Sequence, residues 1–268
     1  MIDLLVVGLR KSGTTWLHEN VSKEATYGVN KNVKETGFFA KKEINKVDIE
    51  NYLNSFDSAR KKAEFDASLC YTKEYYKNIN KLLKNDSRVV LIVREPAWYL
   101  ISRVEHSFRK GELRSLDLVA AVKEKWLREE LEYKEIIDKF NRIVIEKEII
   151  PFELLEKNPK LFYEKVFGEE KYMFVDGPFN TQKINESRVS RIRIITKIIT
   201  YSAKWARKSN LHWMVNAIKA IGFHKLLESK NKEDKKQIRY KIAQKIINAE
   251  FRESKEIWSD LCKKYMLT

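Results

Sequence analysis

The stretch Leu4-Leu5-Val6-Val7-Gly8-Leu9-Arg10-Lys11-Ser12-Gly13-Thr14-Thr15-Trp16-Leu17 decides the reading of this chain. Leu4 to Val7 is an unbroken apolar run, as a strand shows when both faces of its sheet are covered. Gly8 and Gly13 then bracket four residues, Thr14-Thr15 follow, and a helical pattern extends from about Thr14 to Lys23. Strand, glycine-bracketed loop and helix N-terminus in this order form an anion cradle: the glycines let successive amides turn inward, and the helix end adds partial positive charge. The position after Gly13 holds Thr14, where a nucleoside-triphosphate loop carries lysine, and the cation stands instead at Lys11. A lysine in mid-loop is placed to neutralise charge developing on a leaving oxygen.

Outward from this loop, short β-branched runs alternate with longer amphipathic stretches, the pattern of βαβ units around a parallel sheet. Val89 to Val93 reads as a second buried strand and Ile143-Val144-Ile145 as a third. Pro96 to about Ser107 and Ser115 to Phe140 read as helices, and from about Ile194 the pattern is helical almost to the end, with breaks near Lys208-Ser209-Asn210 and Ser229-Lys230-Asn231. The expected organisation is one domain over 1–268, mainly helical from about residue 190.

The composition is globular: 43% hydrophobic and 12% aromatic residues in 268, with only 8 Gly and 4 Pro. The two cysteines, Cys70 and Cys262, lie far apart without metal-ligand spacing, so neither a disulfide framework nor a metal site is expected. Met1 to Gly8 has an acid where a leader would be basic, and no run approaches the roughly 20 apolar residues of a membrane span. A cytoplasmic location is expected. The net charge of +15 draws anions in general. Much of it falls between Lys183 and Lys208, an amphipathic stretch whose one acid is Glu186 and which suits an anionic acceptor or peripheral contact with an anionic membrane. The next stretch, Leu211 to Leu227, is also apolar on one side.

A second anion grip follows the second strand. Arg94 stands at its C-terminal end, in Arg94-Glu95-Pro96, with Ser102 eight residues later in the ensuing helix. Arginine there points to the crevice where open α/β sheets bind ligands, and its fork matches a phosphate. Two spaced phosphate grips imply a bisphosphorylated nucleotide.

Arg10-Lys11-Ser12-Gly13-Thr14-Thr15-Trp16-Leu17 resembles the 5'-phosphosulfate loop of sulfotransferases that use 3'-phosphoadenosine 5'-phosphosulfate (PAPS), and Arg94 with Ser102 resembles their 3'-phosphate segment. The resemblance implies a three-layer α/β fold with a central parallel sheet, of the P-loop-containing nucleotide-hydrolase-like type. It implies donor binding by Arg10, Lys11, Ser12, Gly13, Thr14, Thr15, Trp16, Arg94 and Ser102, with release of the 3',5'-bisphosphate (PAP) and no metal. Lys11 would bond the bridging oxygen. Lys183, Arg188 and Arg191 are further candidates for the 3'-phosphate. Lys34-Glu35-Thr36-Gly37-Phe38-Phe39 resembles the Lys-Glu-x-His-Phe-Phe segment of the carbohydrate (heparan-sulfate-type) branch and its bacterial relatives, which makes Glu35 the general base and Lys34 its neighbour on the acceptor side; Gly37 replaces the histidine. Asp66-Ala67-Ser68-Leu69-Cys70-Tyr71 resembles Glu-x-Ser-Pro-x-Tyr, with Leu69 replacing proline, and adds Asp66 and Ser68 as acceptor-side candidates. His18 and His106 are rival bases.

The function expected is sulfuryl transfer to a hydroxyl or amine of an acceptor, a glycan by the Lys34-Glu35 segment, with no nucleic-acid partner. The alternatives are a phosphate-loop, kinase-like phosphotransferase, disfavoured by the missing lysine after Gly13, and a basic polyanion or membrane binder, which leaves the two phosphate grips unexplained.

Overall fold

The computed structural model describes residues 1–22, 26–56, 61–168, 188–190, 228–230 and 233–267. Among them, β1 (Leu4–Gly8), β2 (Tyr27–Gly28), β3 (Lys61–Asp66), β4 (Arg88–Val93) and β5 (Glu146–Pro151) form one sheet in the order β2-β3-β1-β4-β5, every pair parallel. Val7 on β1 aligns with Asp66 on one side and Leu91 on the other. The strand period of two divides the apolar runs between two layers. Leu5, Val7, Val89 and Leu91 face one core, and Leu4, Val6, Val90 and Ile92 face the other. All are fully buried, and each aliphatic side chain so placed contributes about 1.5–3 kcal/mol.

The first layer holds α2 (Lys46–Asn54), α3 (Tyr75–Leu82), α4 (Pro96–Lys110), α5 (Leu118–Ala121), α6 (Lys125–Leu131), α7 (Tyr133–Asn141) and α10 (Glu233–Glu250). The second holds α1 (Thr14–Val21), α8 (Glu153–Lys157) and α9 (Pro159–Phe167). Helix α11 (Arg252–Lys264) turns Leu261 to the first core and Cys262 to the second. This is the three-layer α/β architecture expected, with helices in the C-terminal part. A separate antiparallel pair, β6 (Arg188–Ser190) with β7 (Glu228–Lys230), was not foreseen. Among the described residues no helix is long and apolar enough to cross a membrane.

Three features of the fold differ from expectation. Ile143 and Ile145 are buried but precede the strand, which begins at Glu146 and carries Glu146-Lys147-Glu148 because β5 is the edge; Glu148 accepts from Lys264 Nζ and Tyr265 Oη, each at 2.6 Å. The helix expected over Ser115 to Phe140 is three helices. Its break between α6 and α7 is satisfied from α11: Tyr133 N–H donates to Ser254 Oγ (3.1 Å), whose hydroxyl donates to Leu131 O (2.6 Å). Strand β3 went unread because four of its six residues are charged.

The topology places one crevice. From β1 the chain turns to α1 in one layer, and from neighbouring β4 to α4 in the other, so the loops at their C-terminal ends diverge and leave the opening where such sheets bind ligands.

Candidate active site

The loop from Gly8 to Thr15 is built by close backbone approach. Leu9 N–H donates to Ile92 O (3.0 Å) and Ser12 N–H to Leu9 O (3.1 Å). Gly13 has φ +80°, a left-handed conformation that costs an L-residue about 1–2 kcal/mol. A Cβ there would lie 2.5 Å from Phe152 Cε2. Lys11 adopts the same left-handed region, φ 69°, without glycine's freedom; such strain gathers where geometry serves a ligand. Gly13 is also the N-cap of α1 and offers no side-chain cap, so the first amides of that helix face the loop uncapped.

Among the described residues, Ser12 Oγ and Arg94 Nε are buried without a hydrogen-bond partner. A buried polar group without a partner costs about 1–3 kcal/mol, a cost that hydrogen bonds donated from each atom to an anionic ligand would relieve. Arg94 Nη1 meanwhile donates to Lys11 O (2.8 Å), tying the two loops together, and its guanidinium lies 5.1 Å from the centre of the Phe152 ring. The Glu95 carboxylate caps α4 by accepting from Trp98 N–H (2.7 Å). Ser102 is buried in α4, and Thr14 and Trp16 are buried in α1, Trp16 edge-on to Tyr163 in the second core. Thr15 is half-buried.

Lys11 is pushed down to about 8, first by burial and then by Arg109, Arg94 and Lys110. A cation that loses its proton this readily stands in a field already positive, the setting an anionic ligand relieves. His106, on α4, is pushed down to about 2 by burial and by Lys11, Lys110, Arg109 and Arg103, which keeps it neutral.

Arg10 is pinned from two sides. Its N–H donates to Tyr71 Oη (3.3 Å) and its Nη1 to Glu130 Oε1 (2.7 Å). Glu130, buried in α6, also accepts from Arg103 Nε (2.6 Å) and Tyr99 Oη (2.7 Å). Sequence reasoning missed Glu130 and Phe152, for no spacing connects either to the loop it supports. Asp66 Oδ1 accepts from Ser68 Oγ (2.7 Å), Ser68 N–H (2.8 Å) and Leu69 N–H (3.1 Å), so these two candidates engage each other. The turn they shape holds Cys70, whose Sγ donates to Gly8 O (3.4 Å) beneath the loop.

Lys34 Nζ contacts Glu35 Oε1 at 2.5 Å, with the Glu35 side chain 41% exposed. Lys110 lies within electrostatic reach of both Lys11 and Glu35. His18 is pushed down to about 4, first by burial, and packs edge-on to Phe65 at 5.9 Å with Lys34 and Glu35 nearby. Arg188 heads β6. Lys183, Arg191, the rest of the basic stretch to Lys208, and Leu211 to Leu227 lie outside the described residues.

A family model described as the sulfotransferase domain matches residues 1–177. The crystal structure of a sulfotransferase from Alicyclobacillus acidocaldarius superposes with a TM-score of 0.55 at 13% identity, covering 81% of this chain and 96% of that one, which shows a shared fold. A sulfotransferase domain from the curacin biosynthetic pathway gives 0.42 at 12% identity, covering 61% and 72% of the two chains. Mouse sulfotransferase SULT7A1 complexed with PAP gives 0.41 at 16% identity, covering 62% and 57%. No curated protein matches the chain.

Proposed function

The chain belongs to the sulfotransferase domain family, and from that premise we propose that it moves the sulfuryl group of PAPS to a hydroxyl or amine of a glycan, in the manner of the carbohydrate branch. The acceptor oxygen or nitrogen attacks sulfur as the bond from sulfur to the bridging phosphate oxygen breaks. Glu35 takes the acceptor's proton, Lys11 neutralises the charge left on the bridging oxygen, and PAP departs. Ser12, Thr14, Thr15 and the first amides of α1 hold the 5'-phosphate, with Gly13 allowing their approach and Arg10 and Trp16 fixing the loop. Arg94 and Ser102 hold the 3'-phosphate.

One observation carries the reading: the orphaned Ser12 hydroxyl at an uncapped helix start, beside Lys11 and the orphaned Nε of Arg94. For the acceptor, the support is the Lys34-Glu35 segment, with Lys110 in electrostatic reach of Glu35 and of Lys11. The reading treats 1–268 as one cytoplasmic domain, whose basic stretch after Lys183 meets an anionic acceptor or a membrane surface.

The test is transfer of radioactive sulfur from PAPS to a panel of polysaccharides, phenols and amines. The label is expected on a carbohydrate, reduced about 10²–10⁴-fold in Glu35→Gln and abolished in Lys11→Ala. Labelling confined to phenols, unchanged in Glu35→Gln, would contradict the acceptor assignment and the base together.

A further inference from the structure

Strand β3 carries a carboxylate on an apolar face. Glu64 aligns with Leu5 of β1 and points into the first core, where Phe38, Phe39, Tyr52 and Phe56 pack, and it is 2% exposed. Its two oxygens are taken by hydroxyls. Oε1 accepts from Thr36 Oγ1 at 2.5 Å and from Thr36 N–H at 3.4 Å, and Oε2 accepts from Tyr52 Oη. Thr36 Oγ1 accepts in turn from Phe38 N–H (3.1 Å), and the Phe38 ring stacks flat on Tyr52, centroids 3.9 Å apart. The segment 36–38 is therefore clamped onto Glu64 and α2, and the residue before the clamp is Glu35.

We propose that Glu64 is a positioning residue for the acceptor side: through Thr36 it fixes the backbone from which Lys34 and Glu35 project. The role rests on the reading of Glu35 as proton acceptor. Glu64 cannot itself serve that proton, being sealed beneath the segment it holds.

The sign of its pH response follows from its surroundings. Glu64 is raised to about 7 by burial, assisted by Asp66 and opposed by the hydrogen bonds of Thr36 and Tyr52. The neutral acid keeps both hydroxyl contacts, since each hydroxyl donates or accepts, and escapes the cost of a buried charge. Any opening of the clamp that hydrates Glu64 returns it toward 4.5. Opening is then favoured as pH rises, by about ten-fold between pH 6 and pH 8.

Hydrogen exchange of the peptide spanning 33–40, corrected for intrinsic rates, measures this without donor or acceptor. The parent is expected to open about ten-fold more at pH 8 than at pH 6; Glu64→Gln is expected to be flat across that range. Thr36→Val should raise exchange at pH 6 several-fold, while Thr36→Ser stays within about two-fold of the parent, which keeps the test alive should Glu64→Gln fold poorly. The same pH response in Glu64→Gln as in the parent, or indifference to Thr36→Val, overturns the inference. PAP titration of the same samples separates the two levels: a pH-dependent clamp in a parent that does not prefer PAP overturns the sulfotransferase reading beneath it, whereas PAP preference with a pH-indifferent clamp overturns the positioning role alone.

Discussion

Gly13→Ala probes the loop most sharply, because Gly37→Ala is its internal control. Both glycines are left-handed, with φ +80° and +64°. An added Cβ at Gly37 meets nothing within 4 Å, so the change costs only the dihedral term, about 1–2 kcal/mol. At Gly13 the same term is joined by a contact of 2.5 Å with Phe152 Cε2. Phe152 has little room to retreat, because its N–H is held to Val93 O (2.7 Å) and its ring lies against the Arg94 guanidinium. Overpacking of this kind costs about 1–3 kcal/mol, giving about 2–5 kcal/mol for Gly13→Ala in all. At about 2–4 °C per kcal/mol for a chain of this size, Gly13→Ala should melt about 4–20 °C below the parent and Gly37→Ala about 2–8 °C below it. Thermal unfolding followed by circular dichroism, repeated with PAP, reads both effects. PAP should protect the parent and Gly37→Ala but not Gly13→Ala. Equal losses in the two variants, or undiminished protection of Gly13→Ala by PAP, would refute the view that Phe152 backs a loop shaped for phosphate.

The remaining predictions concern charge. Because Lys11 sits at about 8 in the folded chain, below its usual 10.5, the anion-binding ammonium is lost as pH rises through about 8. PAP affinity measured from pH 6.5 to 9.5 should fall across that midpoint in the parent, while Lys11→Ala, already weak, stays flat. Glu64 lies above its usual value, so the folded state holds a proton that the unfolded state releases between pH 4.5 and about 7, and stability declines over that window. At about 1.4 kcal/mol per pH unit the interval corresponds to roughly 3 kcal/mol as an upper bound, so Glu64→Gln should melt above the parent at pH 8 and not at pH 4.5. A melting difference that ignores pH would contradict this.

The sequence was most legible where backbone geometry and composition agree. Gly8, Lys11, Gly13 and the apolar runs of β1 and β4 each demand one local structure, and the crevice they imply lies where the strand order places it. What stayed hidden was tertiary. Strand β3 buries Glu64, satisfied by Thr36 and Tyr52, which no periodicity points to. Glu130 reaches Arg10 across 120 positions, and Ser254 of α11 decides where α6 stops. Phe152 supports Gly13 by shape alone. Sequence spacing finds residues that share an element, whereas these meet only because the sheet stacks their elements.

The central claim is that the crevice between β1 and β4 is a bisphosphate site centred on Lys11 and Arg94. Calorimetric titration of the parent, Lys11→Ala and Arg94→Ala with PAP and with AMP tests it without an acceptor. The account predicts binding of PAP in about the micromolar range that AMP does not match, weakened about ten-fold or more in each variant. Equal affinity for PAP and AMP, or PAP binding that survives both substitutions, would contradict it.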